Sequence, residues 1–359
     1  MTNPAFGRFF LPGPTDVHPD VLAAMQRPMI GHRSSAMEQL MAGMALPLGR
    51  LFRTSRPVLV GTASATGFME MAVRNGVVRR ALSLVNGAFS ERFADMVGAA
   101  GKECIRLEVP LGSAVEPDLL RDALRRTPVD AVTLVHSETS TGVLQDVAAL
   151  AAVVREFDNV LMLVDAVTSL AGSPVESDSW GLDFTFTGSQ KALALPPGLA
   201  LGVASERMLE RAKTLHGRGL YFDLVSFEEA TRKSQPTNTP AISLFYALEA
   251  QLARIEREGG VEARWQRHDA MRRRVEAWSE PHGVRYVPPE GRRSWTVSCL
   301  QVPAGKKAGD IVRALERQGW TIGGGYGTLK DKTIRIGHMG DHTLAALDEL
   351  LALVAQALA

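Results

Sequence analysis

The chain is poor in features that would tie it to an oxidising compartment, a metal or a polyanion. Its 359 residues include 2 cysteines, Cys104 and Cys299. They show no CxxC spacing and no nearby histidine cluster, so neither a disulfide framework nor a thiolate metal site is indicated, and both read as core fillers. Charge of one sign is also missing. The 40 Lys and Arg against 39 Asp and Glu leave a formal net charge of +1, which gives nucleic acid nothing to steer toward. No apolar run is long enough to span a bilayer. The start, MTNPAFGRFFLPGPTDV, has no basic region followed by an apolar core, and the end, ALVAQALA, has no sorting signal, so a cytoplasmic location is expected. What is present is 45% hydrophobic and 22% charged residues, an ordinary globular balance in a chain long enough for two domains.

The most informative stretch runs from Asn159 to Gly198. Two apolar runs, VLMLV and LDFTFTG, read as buried strands, and polar residues begin where each ends. An acid, Asp165, and an amine, Lys191, thus emerge at strand ends, where open α/β sheets bind their ligands. Pyridoxal phosphate requires such a pair: an amine for a Schiff base with its aldehyde and a carboxylate to keep the ring nitrogen protonated. The plainer alternative is a helix cap and a solvated lysine.

The rest of the chain repeats strand, polar loop, helix, which implies a mainly parallel sheet. After the strand RPVLVGT, a small-residue loop from Gly61 to Gly67 precedes a helix expected from Phe68. The free amides of that helix, with the Ser64 and Thr66 hydroxyls, make a phosphate cradle or simply a capped helix. Phe89 lies past another strand end, as core or as a stacking surface for a flat ring. The loop His136-Ser137-Glu138-Thr139-Ser140-Thr141-Gly142 carries more polar groups than a turn needs. The stretch from Glu249 to Glu280 reads as a long amphipathic helix whose Arg and Glu form a solvated face. Farther on, Gly323-Gly324-Gly325-Tyr326-Gly327 lacks a dinucleotide register and reads as a flexible loop over the site. Arg335, between Ile334 and Ile336, is either an edge-strand charge or a planar fork for a substrate carboxylate.

In combination, PGPT, GHRS, the Ser64-Ala65-Thr66 loop, HSETSTGVLQ, LVDAVTS, TGSQKAL with PPG, and KTIRIGHMG resemble the class V aminotransferases of fold type I. Within that class the chain is most similar to alanine–glyoxylate and serine–pyruvate or serine–glyoxylate enzymes. The resemblance covers nearly the whole chain, in the family's order. It implies an α/β fold with a mainly parallel seven-stranded sheet in a large domain over 18–258. A smaller α+β C-terminal domain would cover 259–359, and an extended segment 1–17.

The same resemblance implies pyridoxal 5′-phosphate, carried by Lys191, which also shuttles the substrate α-proton. Asp165 would pair with the ring nitrogen, Val167 would press on one ring face, and Phe89, commonly Trp in relatives, on the other. Thr139 would lie near the ring oxygen. Ser64, Thr66 and Gln190 would hold the phosphate, with Ala65 standing where relatives often have glycine. Asn238 and Thr239 would reach the phosphate of a neighbouring subunit, making a homodimer with shared sites. Arg335 would take the substrate carboxylate, with Gly13 of PGPT on the substrate side.

The implied reaction is ping-pong transfer from alanine or serine to glyoxylate or pyruvate. A second cation for a dicarboxylate would be available if Arg33 or Arg218 faces inward. Alternatives are an aminoethylphosphonate transaminase or a non-catalytic regulatory or assembly protein of the same fold. A cysteine desulfurase is disfavoured because neither cysteine lies in a plausible mobile loop.

Overall fold

The computed structural model describes residues 6–359. The chain opens with β1 (Phe9–Phe10), then α1 (Pro19–Ala24) and α2 (Ser35–Phe52). Strand and helix then alternate through β2 (Leu59–Thr62), α3 (Ala65–Gly76), β3 (Arg80–Val85), α4 (Ala88–Ala99), β4 (Glu103–Glu108), α5 (Pro117–Arg126) and β5 (Ala131–Val135). A short hairpin of β6 (Ser137–Glu138) and β7 (Val143–Leu144) precedes α6 (Val147–Val154), β8 (Leu161–Asp165), β9 (Phe184–Gly188) and β10 (Leu199–Ala204). Four helices follow: α7 (Glu206–Thr214), α8 (Leu224–Arg232), α9 (Ile242–Arg257) and α10 (Gly260–Ser279). The chain closes with β11 (Arg285–Tyr286), β12 (Ser298–Gln301), α11 (Ala308–Glu316), β13 (Thr321–Gly324), β14 (Thr333–Ile336) and α12 (Leu344–Leu358).

The large sheet has seven strands in the order β2-β10-β9-β8-β5-β3-β4. β9, β8, β5, β3 and β4 pair in parallel, whereas β10 runs antiparallel to both β9 and β2. The sheet is therefore mainly parallel, as expected, with one reversed strand. β9 ends at Gly188 and β10 begins at Leu199, too short a link for the crossover that a parallel neighbour requires. β8, β9 and β10 are buried along their whole length, which explains their continuous apolar runs. The carboxyl ends of β2, β3, β5, β8 and β9 consequently open on one edge.

The smaller sheet has the order β1-β13-β14-β12-β11. β1 joins it as a parallel edge strand, so the N-terminal segment is stitched to β13 near the end of the chain. β14 lies between two neighbours, which removes the edge-strand reading of Arg335.

The single long helix expected near residue 259 is two. Gly259 and Gly260 have φ of +104° and +83°, a left-handed turn that ends α9 and starts α10. The solvated-face reading of α10 holds for Arg273 and Arg274, which are exposed, and for the Arg272–Glu276 and Arg273–Asp269 pairs along the helix, but it fails on the opposite face. Arg264 has no exposed surface and His268 none. Arg264 Nη1 donates to Asp341 at 3.0 Å and its Nη2 to the Ala192 carbonyl at 3.0 Å. Gln251 of α9 donates to the Leu193 carbonyl at 2.9 Å, and Arg267 to that of Gly340 at 2.7 Å. His268 is neutral: burial holds its imidazole well below the usual range, and Nε2 accepts from Gly340 N–H at 2.9 Å. Burial acts to raise the Asp341 pKa, yet Arg264, Arg254 and Arg267 outweigh it and hold the carboxyl below the usual range. α9 and α10 thus brace the loop after Lys191 and the loop after Arg335 together.

Removing one partner of a buried ion pair strands the other charge. Asp341→Ala is expected to cost about 3–5 kcal/mol in urea unfolding of the apoprotein; an unchanged midpoint contradicts the brace.

Candidate active site

The loops that leave the carboxyl edge of the large sheet deliver groups to a common cavity. Its lining includes Ser64, Ala65 and Thr66 from the start of α3, Phe89 and Arg92 from α4, Thr139 from the hairpin, Asp165, Val167 and Thr168 after β8, and Gln190 after β9. α3 starts at Ala65, three residues earlier than the sequence pattern suggested, so Ala65, Thr66 and Gly67 form its first turn. Ser64 occupies the N-cap in extended conformation, its hydroxyl makes no capping bond, and the first turn carries no acid. The positive end of α3 is therefore open to an anion. The Ala65 methyl faces the floor: a Cβ built on Gly188 would lie 3.2 Å from it and 2.5 Å from Gln190 Oε1.

α4 differs. Its first amides are already occupied by Glu138, a fully buried carboxylate that accepts from Phe89 N–H at 3.1 Å and Ser90 N–H at 2.9 Å. Ser140 donates to the same carboxylate through N–H at 3.0 Å and hydroxyl at 2.6 Å. Glu138 thereby fixes the backbone that carries Phe89. The sequence reading had singled out this loop without assigning Glu138 a part. It had also passed over Arg92, exposed on the next turn with its guanidinium carbon 5.0 Å from the Phe89 ring centroid.

Asp165 is the last residue of β8 and is 4% exposed. Its Oδ1 accepts from Val167 N–H at 2.8 Å, which fixes both the carboxylate and the Val167 side of the cavity. Burial raises its pKa to about 7, against the pull of the Val167 N–H; nearby Glu138 pushes it up further and Lys191 and Arg92 draw it down. A protonated ring nitrogen beside it would restore its charge. Thr139 Oγ1 lies 2.5 Å from Thr168 Oγ1, so both hydroxyls are held at the cavity wall.

Lys191 is 7% exposed and starts a turn in which Ala194 adopts φ +52° and its N–H returns to the Lys191 carbonyl at 2.8 Å. Its Nζ donates to the Pro12 carbonyl and lies 5.9 Å from the Phe89 centroid. Gly13 is glycine for a steric reason. A Cβ there would lie 2.5–2.6 Å from Cδ, Cε and Nζ of Lys191, and its φ is +109°. Arg335 is half-buried, donating through Nε to Gly324 O at 2.8 Å and through Nη1 to Thr139 O at 3.2 Å. No carboxylate pairs with it among the described residues. Burial, then the Arg335 charge, lower the Lys191 pKa to about 8; Asp165 and Glu138 oppose the shift.

The two other arginines considered from the sequence are not at the cavity. Arg218 is bound to Asp223 at 3.2 Å and to the carbonyls of Ala212 and Leu215, and Arg33 is exposed on the turn before α2. Asn238 and Thr239 are likewise exposed, away from this chain's own cavity. Among the described residues no helix is long and apolar enough to cross a membrane.

An open helix N-terminus for phosphate, a buried acid for a ring nitrogen, two apolar ring faces and a buried amine fit pyridoxal 5′-phosphate and define a fold type I enzyme of that cofactor. The family model described as Aminotransferase class-V matches residues 99–343, and the chain belongs to that family. An uncharacterized aminotransferase of Methanocaldococcus jannaschii is 37% identical over 336 residues, 92% of this chain and 87% of that one. A serine–glyoxylate aminotransferase of Methylorubrum extorquens is 32% identical, over 94% of this chain and 88% of its own. The crystal structure of an alanine–glyoxylate aminotransferase from Nostoc sp. superposes with a TM-score of 0.93 at 31% identity, covering 98% of this chain and 96% of that one.

Only a neutral amine condenses with an aldehyde, and both burial and a neighbouring cation disfavour the ammonium. Cofactor uptake by the apoprotein should therefore accelerate through a midpoint near pH 8, the depressed Lys191 value. Arg335→Leu removes one cause and should move that midpoint upward. Stopped-flow absorbance measures both, and a wild-type midpoint in the ordinary lysine range contradicts the assignment.

Proposed function

We propose that the chain transfers an amino group from alanine or serine to glyoxylate or pyruvate in two half-reactions of a ping-pong cycle. The observation that carries this reading is the pairing of Lys191, an amine neutral in part near pH 8 and 5.9 Å from the Phe89 ring centroid, with Arg335, a guanidinium that has no carboxylate partner among the described residues and is close enough for its charge to lower the Lys191 pKa. Pyridoxal 5′-phosphate supplies the carbonyl that accepts the amino group and the ring that draws electrons from the bond being broken.

The chain's own residues do the rest. Arg335 grips the α-carboxylate of the amino acid through the guanidinium N–H groups that its Nε and Nη1 contacts do not use. Lys191, once displaced by the incoming amine, takes the α-proton on Nζ and returns it on the other side of the transfer. Gly13 lines the substrate side, where its missing side chain leaves room for Lys191 to move. Asp165 keeps the proton on the ring nitrogen, while Phe89 and Val167 hold the ring between them. Ser64, Thr66 and Gln190 take the phosphate, and Thr139 the ring oxygen.

The names of the M. extorquens and Nostoc proteins support glyoxylate as acceptor and serine or alanine as donor. The exposure of Asn238 and Thr239 supports a homodimer in which each reaches the phosphate of a second copy. With Arg218 bound to Asp223 and Arg33 at the surface, neither is free at the cavity for a second carboxylate.

The test is the visible absorption of the cofactor-loaded protein with one substrate at a time. The band should bleach with L-alanine or L-serine and return with glyoxylate or pyruvate. Arg335→Leu should raise KM for both donors by about one to two orders of magnitude. A band that ignores both donors and bleaches with aminoethylphosphonate selects the alternative in this class, and a band that no donor bleaches sinks the catalytic reading.

A further inference from the structure

Tyr326, 44% exposed, stands beside Phe89 and Arg335 without a part in the chemistry described so far. It follows β13, which ends in Gly323-Gly324, lies between Gly325 and Gly327, and caps the short 3-10 turn Gly327–Leu329. Its ring centroid is 6.1 Å from that of Phe89, tilted by 33°, and the Arg335 guanidinium carbon lies 5.8 Å from the Tyr326 ring. The ring therefore bridges the residue that would stack on the cofactor and the residue that would hold the substrate carboxylate.

The loop is built, not merely draped. A Cβ on Gly325 would lie 2.0 Å from the Leu329 carbonyl. Leu329 N–H returns to the Tyr326 carbonyl at 3.0 Å, and Lys332 N–H and Thr333 Oγ1 both donate to the Leu329 carbonyl, at 3.1 and 3.2 Å. Gly324, two residues before Tyr326, accepts from Arg335 Nε. The position of the ring is thus tied to that of Arg335 itself.

A bound amino acid has three of its four α-substituents accounted for: the carboxylate by Arg335, the nitrogen by the position Lys191 vacates, and the proton by Lys191. The side chain must leave by the remaining direction, and the wall that spans Phe89 and Arg335 is Tyr326. We infer that Tyr326 is a specificity-determining residue whose ring limits the donor's side chain, admitting alanine- and serine-sized groups and rejecting aromatic or long aliphatic ones. The inference rests on the transamination reading above.

The experiment compares wild type, Tyr326→Phe and Tyr326→Gly, each loaded with cofactor, in single half-reactions with L-alanine and L-phenylalanine. The ratio of kcat/KM for phenylalanine over alanine should rise by about 10–200-fold in Tyr326→Gly, the range that steric fit in an apolar pocket provides. It should stay at the wild-type value in Tyr326→Phe, which keeps the ring. Binding of two unreactive acids, propionate and 3-phenylpropionate, read as inhibition of cofactor reduction by borohydride, should show the same relaxation without turnover. If wild type reacts with alanine while the glycine variant keeps the wild-type ratio and the wild-type preference among the two acids, Tyr326 sets no limit. If wild type reacts with neither alanine nor serine, the parent reading fails instead.

Discussion

The geometry of the site depends on a buried guanidinium that belongs to no part of the chemistry. Arg264 joins the carbonyl of Ala192, next to Lys191, to the carboxylate of Asp341, six residues after Arg335. Around it, Gln251, Arg267 and His268 hold the neighbouring carbonyls and the Gly340 amide. The N-terminal lead-in closes the same knot: Thr15 N–H donates to the Gln190 carbonyl at 3.1 Å, and Gly337 N–H to that of Phe10 at 2.8 Å. Gly337 and Gly340 are glycine because Cβ atoms there would lie 2.1 Å from the Leu11 carbonyl and 2.9 Å from the Ala194 methyl. Three segments remote in sequence therefore move as one, and an amine from the large sheet faces an arginine from the small one.

Burial then sets the electrostatics. The same desolvation pushes Asp165 up to about 7 and Lys191 down to about 8, so each group is poised near the neutral form that a low-dielectric interior favours. A cationic ring nitrogen beside Asp165 would restore the charge that burial disfavours, while the depressed Lys191 pKa leaves an amine able to act as base. The carboxylate of Glu138, by contrast, is spent on amides and hydroxyls of α4 and the hairpin. That leaves α3 as the helix whose positive end is open, which explains why phosphate would bind there and not one strand farther along.

The strand-end residues were legible in the sequence because a buried strand is an apolar run, and the first polar residue after it marks the sheet edge. Asp165 and the Ser189-Gln190-Lys191 step announce themselves this way, and Phe89 and the Ser64 loop follow within a few residues of such an edge. Arg335 was legible as a charge between two isoleucines, although only the order of the small sheet distinguishes a central strand from an edge. What was not legible is what depends on partners far away in the chain. Arg264 looks like one more charge on a charged helix until Asp341, 77 residues on, is brought to it. Glu138 looks like a loop acid until Ser90, 48 residues earlier, presents its amide. The break between α9 and α10 had a local signal, the Gly259-Gly260 pair, that the helical periodicity on both sides overrode.

The central claim is that Lys191 holds the cofactor at this cavity, and borohydride reduction of the cofactor-loaded protein followed by peptide mass mapping tests it most directly. The account predicts a stable pyridoxyl-phosphate adduct on the peptide containing Lys191 and on no other lysine. Protein that binds the cofactor yet carries the adduct elsewhere, or carries none after reduction, would contradict it.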